Sequence, residues 1–184
     1  KELKALKMAS TQLRVVQSEL PPQSWGAGGM HQVSFEVATN AGMPFGSLNK
    51  VASGGELSRL LLAMKVVLHA DGAATSIFDE IDTGISGHTA DIVGSKLKGL
   101  ADSFQVICIS HLAQVAAYGD AHFKVEKMQK KGSTESHIFR LNGPQSEAEI
   151  ARLLSGMKVT PSSLQNARQL IFAAQRGAEV SVDL

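Results

Sequence analysis

Two short apolar runs, 74–79 and 104–109, each stop abruptly on residues that carry chemistry. The first delivers Asp79-Glu80 at its end, and the second is followed at once by Ser110-His111. Apolar runs of this length, bounded by polar residues, read as strands interior to a parallel sheet. Between them, 87–100 carries Ile92, Val93, Leu97 and Leu100 at helical spacing. Strand, helix, strand and helix in alternation predict an α/β fold with a parallel sheet core. In such sheets ligands sit beyond the carboxyl ends of the strands. Asp79, Glu80 and His111 all belong to that end.

Upstream lies Val51-Ala52-Ser53-Gly54-Gly55-Glu56-Leu57-Ser58-Arg59, followed by an apolar stretch to His69. The pattern predicts a loop over 43–52 and then a helix over 55–69, buried on several sides. Two glycines allow backbone amides to approach a ligand, and a helix N-terminus favours an anion. Ser53 can cap the helix or donate its hydroxyl to a phosphate oxygen. Arg59 reads as a solvated partner of Glu56 or as a phosphate contact.

Asp79-Glu80 is expensive at the tip of an apolar strand unless something positive faces it. Magnesium bound to phosphates would serve, with Asp79 holding the ion and Glu80 deprotonating the attacking water. A bare Asp-Glu pair also describes a solvated strand end. Asp82, Gly84 and Ser86-Gly87 then make a tight polar loop. His111 could bond a terminal phosphate or the attacking water, or could simply cap a helix.

The remaining segments frame this centre. Leu6, Leu13 and Leu20 stand seven apart, so 1–20 reads as a helix with a coiled-coil hint, stopped by Pro21-Pro22. Residues 23–30 read as a flexible loop, and Val33, Phe35 and Val37 alternate as in a half-buried strand. A short helix is expected over 112–118, and a hairpin joins 121–128 to 134–141 around Lys130-Lys131-Gly132-Ser133. With Lys127, those lysines read as a solvated turn, DNA contact being the alternative. Pro144 opens a helix, and Thr160-Pro161 caps and starts another with Leu164, Ala167, Leu170, Ile171 and Ala174 on its face. The tail from Gly177 is expected to fray.

Composition narrows the function classes. The formal net charge is +1, so no global field argues for nucleic acid. The one cysteine, Cys108, lies in an apolar run and cannot pair within the chain, which fits a buried thiol in a reducing cytoplasm. No apolar run approaches the ~20 residues needed to span a bilayer. The chain opens on Lys1 with no initiator methionine, as expected of a segment from within a longer protein.

The order of the motifs is more specific than any one of them. Val51–Arg59, Ile77-Phe78-Asp79-Glu80-Ile81-Asp82-Thr83-Gly84-Ile85-Ser86-Gly87 and Ser110-His111-Leu112-Ala113-Gln114-Val115-Ala116 resemble the C-terminal half of an ATP-binding-cassette ATPase head. The branch they resemble is RecN, the bacterial DNA double-strand-break repair ATPases related to structural-maintenance-of-chromosomes (SMC) proteins. The likeness runs from about Val33 to Ala174. It implies that Ser53, Gly54, Gly55 and Glu56 form a signature motif acting in trans on the nucleotide of a second head. It implies that Asp79 is the Walker B magnesium residue, Glu80 the catalytic base, Asp82 the D-loop aspartate and His111 the switch histidine. Residues 1–20 would be the end of a coiled-coil arm, 21–176 the C-terminal part of the head and 177–184 a frayed tail. ATP and Mg2+ are the implied cofactors. The implied partners are the N-terminal half of the same head, a second head in an ATP-sandwich homodimer, and DNA, with no membrane, in the cytoplasm at the nucleoid. No Gly-x-x-x-x-Gly-Lys-Ser/Thr loop occurs in these 184 residues, so the chain alone is expected to be inactive. A transporter cassette and a non-catalytic dimerisation lobe are the alternatives.

Overall fold

The computed structural model describes residues 1–48, 53–68, 75–130, 133–156 and 158–180. Strands β4 (Thr75–Phe78) and β5 (Gln105–Cys108) pair in parallel, Thr75 opposite Gln105 and Phe78 opposite Cys108. Helix α3 (His88–Ala101) makes the crossover between them. Helix α2 (Gly54–Leu68) joins α3 against the sheet, and Leu62, Phe78, Ile81, Val93, Leu97 and Val115 form a continuous core. These elements match the expected α/β centre.

Burial departs from the expectation. Ser76 and Phe78 point into the core, but Ile77 is 62% exposed and Ile107 and Ile109 are exposed beside it. Among the described residues, helices cover one face of β4–β5, and the strand residues of period two on the other face stay open. Helix α2 is likewise buried along one broad side, at Gly55, Arg59, Leu60, Leu62 and Ala63, rather than on several. Leu61, Val67 and Leu68 are exposed.

The helix expected over 1–20 is not there. A single turn, α1 (Glu2–Ala5), ends where Lys7 takes a positive φ of 60°. Strand β1 (Gln12–Glu19) follows, antiparallel to β2 (His31–Ala38) over eight residue pairs, and β3 (Gly46–Ser47) extends the sheet. Thr11, Val15 and Val16 favour extended backbone, and the ladder with β2 outweighs a three-leucine heptad hint. Leu6 is fully buried in the main core, α1 packs on α2, and Lys96 of α3 pairs with Glu2. The hydrogen bond and charge of Lys96 hold the Glu2 carboxyl below its ordinary range. The segment 23–30, read as a loop, is the tip of this hairpin, with a Gly26–Gly29 bridge and a 3-10 turn at Pro22–Ser24. Only the base of β2 is covered: Val37 packs with Met8 and Leu60, whereas Val33 and Phe35 are exposed.

The C-terminal elements follow the sequence closely. Helix α4 (Ala113–Ala116) is one turn. Strands β6 (His122–Lys130) and β7 (Ser133–Leu141) form the expected hairpin; Lys131 and Gly132 at its tip lie outside the described residues. Helix α5 (Gly143–Ser155) starts from a reciprocal capping box in which Asn142 and Gln145 each bond the other's backbone N–H. Helix α6 (Pro161–Val180) starts where Thr160 Oγ1 accepts from Ser163 N at 3.1 Å. Its Ala167 packs with Ile150, Ala151 and Ala113. Helix α6 runs through Val180, and 181–184 lie outside the described residues.

Candidate functional site

Ser53 opens α2 with a capping box. Its backbone N–H donates to Glu56 Oε2 at 3.0 Å, its hydroxyl donates to the same oxygen at 3.2 Å, and Glu56 N donates to Ser53 Oγ at 3.3 Å. The capping role open to Ser53 is thus the one the fold uses. Gly54 and Gly55 lie in the first turn, where amides have no acceptor within the helix. Close approach to backbone requires a glycine at 55, whereas at 54 the neighbour is the movable end of a side chain. A Cβ on Gly54 would stand 2.6 Å from Glu80 Oε2, and one on Gly55 would stand 2.9 Å from the Glu80 carbonyl and 3.0 Å from Thr83.

Asp79 and Glu80 follow β4 and are both exposed. The Asp79 carbonyl accepts from Ser58 Oγ at 2.6 Å, which ties the strand end to α2. Glu80 has a φ of 55°, in the left-handed region where a non-glycine residue costs about 1–2 kcal/mol. Strain of this kind concentrates at functional sites. The turn places its carboxylate over Gly54, so Glu80 and the glycine pair share a wall within one chain. Among the described residues no cluster of three or more His, Cys, Asp or Glu could hold a metal. Asp79 nevertheless fits magnesium as a single ligand, because that ion commonly takes one or two carboxylates beside phosphate oxygens and waters.

Asp82 is not a solvated loop residue. It is 2% exposed, and its Oδ2 accepts from Ser110 Oγ at 2.6 Å, His111 N at 2.8 Å and Leu112 N at 3.2 Å. His111 Nδ1 lies 3.1 Å from the same oxygen, while the rest of the imidazole faces outward. One buried carboxylate therefore gathers the segment after β5. His111 precedes the helix, which begins at Ala113. Beneath it, burial and the charges of Asp82 and Asp79 push the Cys108 thiol up to about 12, so it stays protonated and inert at neutral pH.

Arg59 is the residue that sequence reasoning misplaced. It is 6% exposed, and Nη1 donates to the Ile81 carbonyl at 3.1 Å and to the Thr83 carbonyl at 2.7 Å. Burial holds its pKa below the ordinary value, against the opposing charges of Glu56 and Asp82. The available signal was position: 55, 59, 62 and 63 form one helical stripe, and the other three are small or apolar.

The site residues thus gather at the N-terminus of α2 and the carboxyl ends of β4 and β5. Glu80 meets Gly54, Asp82 meets His111, and Ser58 and Arg59 bind the backbone between them.

No protein-family model matches the chain. The DNA repair protein RecN of Vibrio cholerae is 48% identical over 147 residues, 79% of this chain and 26% of that protein. The RecN of Rickettsia typhi is 42% identical over 172 residues, 92% of this chain and 30% of that protein. The RecN of Xylella fastidiosa strain 9a5c is 45% identical over 148 residues, 80% of this chain and 27% of that protein. The chain thus spans under a third of the length of these relatives. Among solved structures, the Smc head domain with a coiled coil and joint from Pyrococcus yayanosii superposes with a TM-score of 0.52 at 20% identity. That match covers 84% of this chain and 28% of that one, and it shows a shared fold. The lobe shares its fold with an Smc head domain, and by sequence the chain belongs to the RecN family.

Proposed function

We propose that this chain is the C-terminal lobe of the ATPase head of a DNA double-strand-break repair protein, and that the complete head hydrolyses ATP. The observation that carries this reading is the convergence at one edge: Asp79-Glu80 after β4, Asp82 with His111 after β5, and the Gly54-Gly55 turn opening α2.

ATP with Mg2+ would supply the phosphoanhydride to be cleaved and the charge that the two carboxylates face. Asp79 would hold the metal ion. Glu80 takes the proton of the attacking water. His111, its Nδ1 side held by Asp82, keeps an exposed ring that would bond the terminal phosphate or the attacking water. Ser53, Gly54, Gly55 and Glu56 present a capped helix N-terminus, and the first-turn amides of Gly54 and Gly55 suit a phosphate held by a second head. The N-terminal half of the head, carrying the phosphate-binding loop, would cover the open face of β4–β5 at Ile77, Ile107 and Ile109. Head closure around two nucleotides would then be coupled to DNA ends, at the nucleoid. No helix among the described residues is long and apolar enough to cross a membrane.

This division of labour has a direct consequence for the 184-residue chain. Titration calorimetry should find no ATP binding, because no backbone cradle for the β-phosphate is present in its sequence. Binding at about millimolar affinity or tighter by the chain alone contradicts the reading.

A further inference from the structure

Arg59 is a buried cation with no place in the chemistry described above. Burying a guanidinium costs free energy that an apolar residue of the same size avoids, and Arg59 Nε is buried with no partner among the described residues. Its two bonds have a particular target. They go to the carbonyls of Ile81 and Thr83, the residues immediately before and after Asp82. One planar, rigid group thereby fixes the backbone on both sides of the buried carboxylate. That carboxylate in turn accepts from the backbone N–H groups of His111 and Leu112. A continuous path of short polar contacts runs from the first turns of α2 to His111.

We propose that Arg59 is a positioning residue, which holds Asp82 in register and so gives His111 a fixed relation to the N-terminus of α2. A shift of that helix end on meeting a nucleotide is then transmitted to His111. The catalytic part of this inference rests on the proposed ATPase reading; the structural part does not.

In the 184-residue chain, Arg59→Met should accelerate amide hydrogen exchange at His111 and Leu112 by about tenfold or more, with Val93 and Leu97 in α3 unchanged. A loss of general stability would move all four together. Arg59→Lys keeps the charge, reaches one carbonyl and should fall between; it carries the test if the Met variant does not fold. Exchange at His111 and Leu112 equal to that of the unsubstituted chain, in whichever variant folds, overturns the proposal. In the full-length protein, Arg59→Met should lower kcat about tenfold at nearly unchanged KM for ATP. An unchanged kcat overturns the catalytic part. Absence of ATP hydrolysis by the unsubstituted full-length protein overturns the proposed function instead, and leaves the exchange result standing.

Discussion

Glu80→Gln in the full-length protein should leave ATP binding intact and lower turnover by about 100-fold or more, the loss expected when a general base is removed. Glutamine has nearly the shape of glutamate, so the close contact over Gly54 and the backbone turn at position 80 are both retained. What is removed is the capacity to accept a proton from water. Single-turnover measurement of ATP cleavage, beside nucleotide binding, separates the two effects. Normal hydrolysis by the variant in the presence of DNA would show that Glu80 is not the base.

Asp82→Ala should damage the fold itself. It removes the acceptor shared by Ser110 Oγ, His111 N and Leu112 N, in a position only 2% exposed. Ser110 Oγ already accepts from Leu112 N at 3.1 Å, so that donor keeps a partner, but His111 N does not. The expected loss is about 2–4 kcal/mol, from hydrogen bonds to a charged group and a stranded donor. For a domain of this size that corresponds to a fall in Tm of roughly 5–15 °C, readable by circular dichroism. A Tm within about 1 °C of the unsubstituted chain would show that Asp82 does not organise the segment after β5.

The parts of the fold that were legible in the sequence are those set by neighbours in the chain. The apolar runs of β4 and β5, the helix spacing of α3, the turn between β6 and β7 and the caps of α5 and α6 are all local signals. Strand β1 was not legible. Its extended form depends on eight pairings with β2 across an intervening loop, whereas Leu6, Leu13 and Leu20 mimic a heptad. One-sided burial of β4–β5 was hidden for a similar reason: an apolar strand reads the same whether or not its second face is covered among these residues. In the candidate site, the placement of Asp79, Glu80 and His111 just past the strand ends was legible from the apolar runs that precede them. The inward turn of Asp82 and the burial of Arg59 were not, since each depends on carbonyls or amides 22 to 30 residues away.

The contact between Glu80 and Gly54 also sharpens the central question. Within one chain Glu80 and the glycine turn lie side by side, yet in the proposed head they serve different nucleotides. A mixed-dimer experiment on the full-length protein decides it. Glu80→Gln and Ser53→Arg each place a defect in every site of a homodimer and should each be inactive. In a symmetric dimer with trans sites, mixing the two in equal amounts makes half of the dimers mixed, and each of these keeps one intact site. The predicted result is recovery of about a quarter of the unsubstituted activity. No recovery, with mixed dimers demonstrated by tag capture, would place Ser53 and Glu80 at the same nucleotide and contradict the account.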